Sequence, residues 1–277
     1  MKGRIQFLAL VLFVFAQLAV SQTSLEQKLT AVDAYANKVM DTWGGPGMAI
    51  AVVKDDKVVF AKGYGVRELG KPDKVDENTL FAIASNTKAF TAASLAILVD
   101  EGKISWDDKV TKYLPDFRLY DPWVSSQITI RDILSHRSGL DTFSGDLLWY
   151  DTTYTTDEII RRARYLKPVS DFRTRYGYQN LMFITAGRVI EKVSGMKWAD
   201  FVRSRILDPL GMTRTTTSVR DMKENFALPH NESGGKLRAL PVGYLDEAIG
   251  AVRLNASVAD LGKWIRLQLG RGTFEGK

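Results

Sequence analysis

"FAIASNTKAF", residues 81–90, puts Ser85 one helical turn before Lys88 at the mouth of an apolar run. The pair reads either as a nucleophile with its base or as the polar start of a buried helix. Ser-x-x-Lys cannot decide this alone, because the chain contains it three times: Ser85/Lys88, Ser194/Lys197 and Ser233/Lys236. Ser194 precedes Gly195, where one helical pattern ends, and Ser233 opens a glycine turn between two short β-like runs. Both read as connectors. Ser85 instead opens "SNTKAFTAASLAILVDEG", apolar on nearly every side and closed by Gly102. A helix without a polar face is a buried one. Its first turn carries unpaired N–H groups whose partial positive charge suits an alkoxide or oxyanion. Lys88 lies on the face of Ser85, among Phe81, Ile83, Ala89 and Phe90. Burial and the positive helix end both disfavour an ammonium there, so a neutral Lys88 can take a proton from Ser85. The competing reading is a capping role for Ser85 or Asn86, with Lys88 reaching outward.

The elements around this helix follow from periodicity. Residues 24–42 place Leu25, Leu29, Val32, Ala36 and Val39 on one helical face. Residues 48–53 and 57–64 are β-rich runs flanking Asp55-Asp56, a predicted hairpin. Beyond Gly102 the pattern is mostly helical. "TIRDILSH" and "TTDEIIRRARYL" open on capping boxes at Thr129/Asp132 and Thr155/Glu158. "NLMFITAGRVIEKVSG" ends at Gly195 and "KWADFVRSRIL" stops at Pro209. Residues 215–255 turn β-like again around "NESGGK", before a last capped helix in "SVADLGKWIRLQLG". Strands at both ends of a helical middle predict an α/β domain with one sheet assembled from distant parts.

At 277 residues and 45% hydrophobic, the chain can bury the core of one large domain. Lys2 and Arg4 precede an apolar run over residues 5–20, and Ala19-Val20-Ser21 supplies small residues for cleavage. This predicts a signal peptide over residues 1–21, a mature domain over 22–277, and export to the periplasm or medium with no integral anchor left. The run is shorter than the ~20 residues that span a bilayer. Losing Lys2 and Arg4 takes the net charge from +6 to +4, too mild to imply nucleic acid. The chain has no cysteine, which excludes disulfides, a lipidated N-terminal cysteine, a cysteine nucleophile and thiolate metal sites. It has two histidines and no His-Glu-x-x-His, Gly-x-Ser-x-Gly or phosphate-binding loop. No metal or cofactor is implied, and a hydrolase built on this chain needs a base other than histidine.

"RYGYQN" adds Tyr178-x-Asn180, 90 positions after Lys88 and directly before an apolar helix. A phenol can pass a proton to a leaving group, and a carboxamide can hold a substrate amide. Tyr35-Ala-Asn37 has the same spacing, but sits in the first amphipathic helix and reads as structural. "FAIASNTKAFTAASLAILVDEGKI", "DILSHRSGL", "YQNLMFITAGRVIEKVSG" and "DPLGMTRT" occur in this order over roughly residues 25–270. Together they resemble the penicillin-binding-protein and class C β-lactamase superfamily of serine hydrolases. The resemblance implies a β-lactamase/transpeptidase-like α/β fold, with an antiparallel sheet flanked by helices and a mostly helical subdomain. It further implies an acyl-enzyme mechanism. By motif, Ser85 corresponds to the nucleophile, Lys88 to its proton-relay partner, Tyr178 to the proton carrier for the leaving group, and Asn180 to a substrate-amide contact. The Ser85 N–H would form half of an oxyanion hole. The implied substrate is a small acyl, peptide or β-lactam molecule. A carboxylesterase or D-peptidase is favoured over a dedicated β-lactamase, and the rival is a non-catalytic, penicillin-binding-like module.

One family element is missing. A Lys-Thr-Gly or His-x-Gly motif on a late strand is absent, since His136 is followed by Arg-Ser-Gly and His230 by Asn-Glu. The expectation is that these 277 residues lack the C-terminal strands and hydrolyse poorly alone. Around the motifs, "SHRSGL" reads as a packed turn and "RRAR", residues 161–164, as a solvated helix face. Arg173 and Arg175, near Tyr178, are read either as attracting a substrate carboxylate or as surface ion-pair partners.

Overall fold

A computed structural model of the chain describes residues 24–276. The expected signal segment, residues 1–21, lies outside the described residues. Two compact units divide at Gly45/Pro46. In the first, helix α1 (Leu25–Trp43) is opened by Ser24 in a full capping box with Gln27 and closed by Gly44 in the left-handed conformation.

The second unit opens on strands β1 (Gly47–Lys54) and β2 (Lys57–Gly65), which pair with each other in antiparallel register. Their turn has positive φ at both Asp55 and Asp56, the geometry of a two-residue hairpin that matches strand twist. Strand β3 (Phe81–Ala82) leads through a 3₁₀ turn, Ala84–Asn86, into helix α2 (Thr87–Asp100). Short helices α3 (Val110–Tyr113), α4 (Pro122–Gln127), α5 (Ile130–Leu134) and α6 (Thr156–Arg162) follow. Then come α7 (Asn180–Ser194), α8 (Trp198–Val202), hairpin strands β4 (His230–Ser233) and β5 (Lys236–Ala239), strand β6 (Asn255–Ala256) and helix α9 (Val258–Leu269).

The predicted long-range sheet is short. β3 pairs with β6 over two positions, Phe81↔Ala256 and Ala82↔Asn255, extended by bridges from Leu80 to Phe226 and Thr216 to Asn255. The β1–β2 hairpin forms its own two-stranded sheet and receives α9 on it. Arg266 of α9 grips the hairpin turn through both oxygens of Asp56.

Helix α2 is central, packing against α7 and α8. Phe90, Leu95 and Leu98 are essentially inaccessible, and Phe90 stacks on Trp264 of α9 at 4.1 Å. Each such side chain contributes about 1.5–3 kcal/mol by burial. The polar residues of α2 are buried but partnered. Thr91 Oγ1 donates to Gly250 O (2.9 Å) and accepts from Trp198 Nε1 (3.1 Å), while Leu254 N–H donates to Thr87 Oγ1 (3.0 Å). These bonds tie residues 250–254 to the helix beside Ser85.

The capping boxes differ in outcome. Thr129 and Asp132 form both halves at α5. At α6 only Thr155 caps, because the Glu158 carboxylate is taken by Arg161 and Arg162. Arg161 and Arg162 of "RRAR" are thus ion-paired rather than merely solvated, and Ala163, which follows them, is buried.

Candidate active site

Ser85 stands exposed in the 3₁₀ turn, one residue after Ala84, whose φ of 44° is left-handed. An L-residue there carries strain of order 1 kcal/mol. The next turn brings in Lys88, only 8% exposed. Its Nζ donates to Asn180 Oδ1 (2.7 Å), Ala251 O (3.1 Å) and Ser85 Oγ (3.2 Å). The rings of Tyr178 and Phe183 close the pocket, with centroids 4.8 and 5.4 Å from Nζ. Burial pulls the Lys88 pKa down to about 8, against the pull of the Asp146 carboxylate toward the charged form.

Asn180 begins α7, and its orientation is set by Asp146. Nδ2 donates to Asp146 Oδ2 (2.9 Å), which turns Oδ1 toward Lys88. Trp149 Nε1 holds the other Asp146 oxygen at 3.0 Å. Burial raises the Asp146 pKa, while Trp149, Asn180 and the charge of Lys88 oppose it. Asp146 reaches this position because Gly145, at φ 83°, leaves no Cβ where Leu181 and Leu166 pack.

Tyr178 is half-buried beside Lys88 and presents its ring face to Nζ. Among the described residues no hydrogen bond joins its hydroxyl to Lys88 or Ser85. Its backbone is held by Thr142 Oγ1 on the N–H (3.2 Å) and Phe143 N–H on the carbonyl (2.9 Å).

The structure therefore brings Ser85, Lys88, Tyr178 and Asn180 together, while Ser194 and Ser233 sit in connectors. Ser194 Oγ caps its own helix through Ile190 O, and Ser233 ends β4. Asp146 and the Ala251 carbonyl also belong to the neighbourhood and lie in none of the quoted motifs, whereas His136, which joins them, lies in "DILSHRSGL". The only local hint is a glycine before Asp146 and before Ala251.

Arg173 faces away from substrate chemistry. Its guanidinium forks onto Asp132, Nε to Oδ1 at 2.9 Å and Nη2 to Oδ2 at 2.7 Å, while Arg137 Nε also reaches Oδ1 at 2.6 Å. The carboxylate-binding reading of Arg173 gives way to ion pairing, because both carboxylate oxygens already occupy its fork. Arg175 is exposed. Asp132 is fully inaccessible. Burial alone would raise its pKa, but Arg173, the Thr129 N–H and hydroxyl, and Arg137 bring it down to about 2. The depressed value means that its stabilisation is complete above the unfolded value of about 3.9 and is lost as pH falls toward 2. Asp132→Asn is expected to cost about 3 kcal/mol at neutral pH, somewhat softened because both guanidiniums reach water. Urea unfolding checks this, and the gap from the parent should close between about pH 4 and 2.

These positions lie in a chain whose residues 32–277 match the β-lactamase family. It is 36% identical over 248 residues to the unguisins hydrolase ungD' of Aspergillus campestris, covering 84% of this chain and 46% of that protein. It is 30% identical over 234 residues to protein flp of Staphylococcus aureus, covering 81% and 45%. Among solved structures it resembles the octameric penicillin-binding protein homologue from Pyrococcus abyssi, with TM-score 0.79, 28% identity and coverage of 88% and 57%. FmtA from Staphylococcus aureus gives TM-score 0.75, 26% identity and coverage of 87% and 65%. The chain spans about half the length of the curated relatives it matches.

The fold is thus the β-lactamase/transpeptidase-like one, mixed helices with small antiparallel sheets, in agreement with the motif resemblance. The chain belongs to the β-lactamase family, a family of serine hydrolases.

Proposed function

We propose that the chain is an exported serine hydrolase that forms an acyl-enzyme on Ser85, acting on small acyl esters or peptides. The observation that carries this is the arrangement of oxygens around Lys88. A neutral amine has two N–H donors and one lone pair. Asn180 Oδ1 and the Ala251 carbonyl are fixed acceptors and take the two donors. The lone pair is then left for the third neighbour, the Ser85 hydroxyl, which alone can donate. Lys88 removes the Ser85 proton as Oγ attacks the carbonyl carbon, and the Ser85 N–H faces the developing oxyanion. The Tyr178 hydroxyl gives its proton to the leaving group and is reprotonated from Lys88 as the acyl-enzyme forms, which returns Lys88 to the neutral amine. Water then attacks the ester carbon and gives a proton to Lys88, which passes it to Ser85 Oγ as the ester bond breaks. Asn180 retains a second N–H for a substrate carbonyl.

Substrate preference rests on the surroundings. A cleft of about 520 Å³ is lined by Phe81, Ala82, Tyr150, Leu240, Tyr244 and Val252 among others. Phe81 and Ala82 lead into Ser85, and Val252 follows the carbonyl that holds Lys88, so the cleft adjoins the nucleophile along the chain. Its largely apolar walls, which also carry Asp151, Asp246 and Arg253, suit an acyl or amino-acid side chain, in keeping with esterase or peptidase activity ahead of a dedicated β-lactamase. A larger cleft of about 670 Å³ is walled by residues such as Phe117, Arg118, Arg164 and Lys192 and shares no residue with the site. The names of the relatives, an unguisins hydrolase and penicillin-binding protein homologues, are compatible with acyl or peptide substrates.

Intact mass after exposure to p-nitrophenyl acetate and, separately, to a penicillin tests the proposal. A transient acetyl adduct on Ser85 fits the hydrolase. A penicilloyl adduct that persists, with no acetyl turnover, selects the binding module instead, and no adduct with either removes Ser85 as the nucleophile. Because the neutral amine is the active form, acylation should rise about tenfold per pH unit up to about pH 8 and level off above it. Asp146→Asn keeps an acceptor for Asn180 but removes the charge that favours the ammonium. The rate limb should therefore move to lower pH, and a limb unmoved by this change would exclude Lys88 as the titrating base.

A further inference from the structure

We infer that His136 is a positioning residue that holds Tyr178 in register beside Lys88, through contacts to three consecutive residues. The inference rests on the reading of Tyr178 as the proton carrier.

His136 follows α5 with φ at 57°, a left-handed turn that swings both its carbonyl and its ring toward the segment before α7. The carbonyl accepts from Gly177 N–H at 2.8 Å. The imidazole lies against the Tyr178 ring, with centroids 4.6 Å apart and planes 28° from parallel. Nδ1 accepts from Gln179 N–H at 3.0 Å. The residue before Tyr178, the phenol itself and the residue after it are thus gripped by one side chain and its own backbone. Tyr176 and Phe183 complete the aromatic surroundings of the imidazole at 5.4 and 5.2 Å.

The geometry asks for histidine in particular. The grip needs a flat ring for the phenol to lie on and an acceptor one bond from the ring's attachment point. Phenylalanine supplies the first and asparagine the second. The acceptor also requires a neutral ring, with its proton on Nε2. Burial, aided by the positive charge of Lys88, lowers the His136 pKa to about 4, so Nδ1 stays free to accept at neutral pH. The second anchor is Asp132, which binds Arg137, the next residue after His136, and Arg173, five residues before Tyr178. The loop carrying the imidazole and the loop carrying the phenol are thereby pinned to one buried carboxylate. Without His136, Tyr178 keeps only Phe143 at 5.4 Å as an aromatic neighbour besides the Phe183–Lys88 wall.

The test is a double-mutant cycle on single-turnover acylation of Ser85 by methyl butyrate, followed by intact mass. An alkyl ester is chosen because its leaving group needs a proton. Rates are normalised to sites that react with a fluorophosphonate, and melting temperatures are recorded. His136→Phe is expected to slow acylation by about 10–100-fold, with the ester concentration for half-maximal rate changed by less than about threefold. His136→Asn, which can still accept from Gln179, should recover part of that loss. Tyr178→Phe alone should be slow, and His136→Phe should add no further loss on that background.

If His136→Phe slows the Tyr178→Phe protein by the same factor as the parent, the two residues act independently and the inference fails, while the reading of Tyr178 stands. A lowered melting temperature with an unchanged rate per labelled site assigns His136 to packing alone and also overturns it. Should Tyr178→Phe acylate as fast as the parent, the reading of Tyr178 fails first and the role of His136 goes with it.

Discussion

Ser85→Ala is expected to abolish covalent labelling and to bring whatever p-nitrophenyl acetate hydrolysis the site carries down to the buffer rate. The argument is one of isolation. Ser85 is exposed, so removing its hydroxyl leaves no cavity, and Lys88 keeps Asn180 and Ala251 as acceptors. Stability should therefore stay within about 0.5 kcal/mol of the parent. Ser194 and Ser233, the other two Ser-x-x-Lys serines, have no such surroundings and cannot substitute. Residual hydrolysis within tenfold of the parent, in a protein with unchanged melting, would falsify Ser85 as the nucleophile.

Lys88→Met should behave differently. Acylation of Ser85 falls by about 10³-fold, the scale of a lost general base, yet slow labelling by a fluorophosphonate persists because the hydroxyl remains. The pH dependence with a midpoint of about 8 should vanish with it. Folding pulls two ways. The Asn180 and Ala251 oxygens lose a donor, at about 1–3 kcal/mol each, but a buried cation is also removed, which offsets a similar amount. Near-unchanged melting with a large rate loss is the expected pattern. A collapse of the fold with little change in rate per labelled site would assign Lys88 to structure.

Much of the fold could be read in advance where the controlling physics is local. Capped helices, the Asp55-Asp56 hairpin and the buried character of α2 all depend on residues within a few positions of one another. The β3–β6 pairing joins residues about 175 positions apart over two positions, too short for any periodicity to announce. The same distinction governs the site. Ser85 and Lys88 share one turn, and Tyr178 and Asn180 stand in a short motif, so both pairs could be named. Asp146 and the Ala251 carbonyl act from positions 34 and 163 residues away from the groups they touch. A backbone carbonyl carries no side-chain identity to read. His136 was visible only as a turn, and it is one, but its ring contacts arise from where that turn is set in space. Ion pairing of Arg173 is one of its two sequence readings, but its partner Asp132 carries no sequence signal for that role, because the same carboxylate reads as a helix cap.

The left-handed Ala84 bears on where the protein's preference for its substrate can come from. The chain holds Ser85 at its helix end by accepting an unfavourable backbone angle during folding, long before a ligand arrives. A substrate that enters meets a hydroxyl already turned outward and spends none of its own affinity on arranging it. On the proposed reading, poor and good ligands are then treated alike at Ser85 Oγ, and discrimination among them falls to the residues around it.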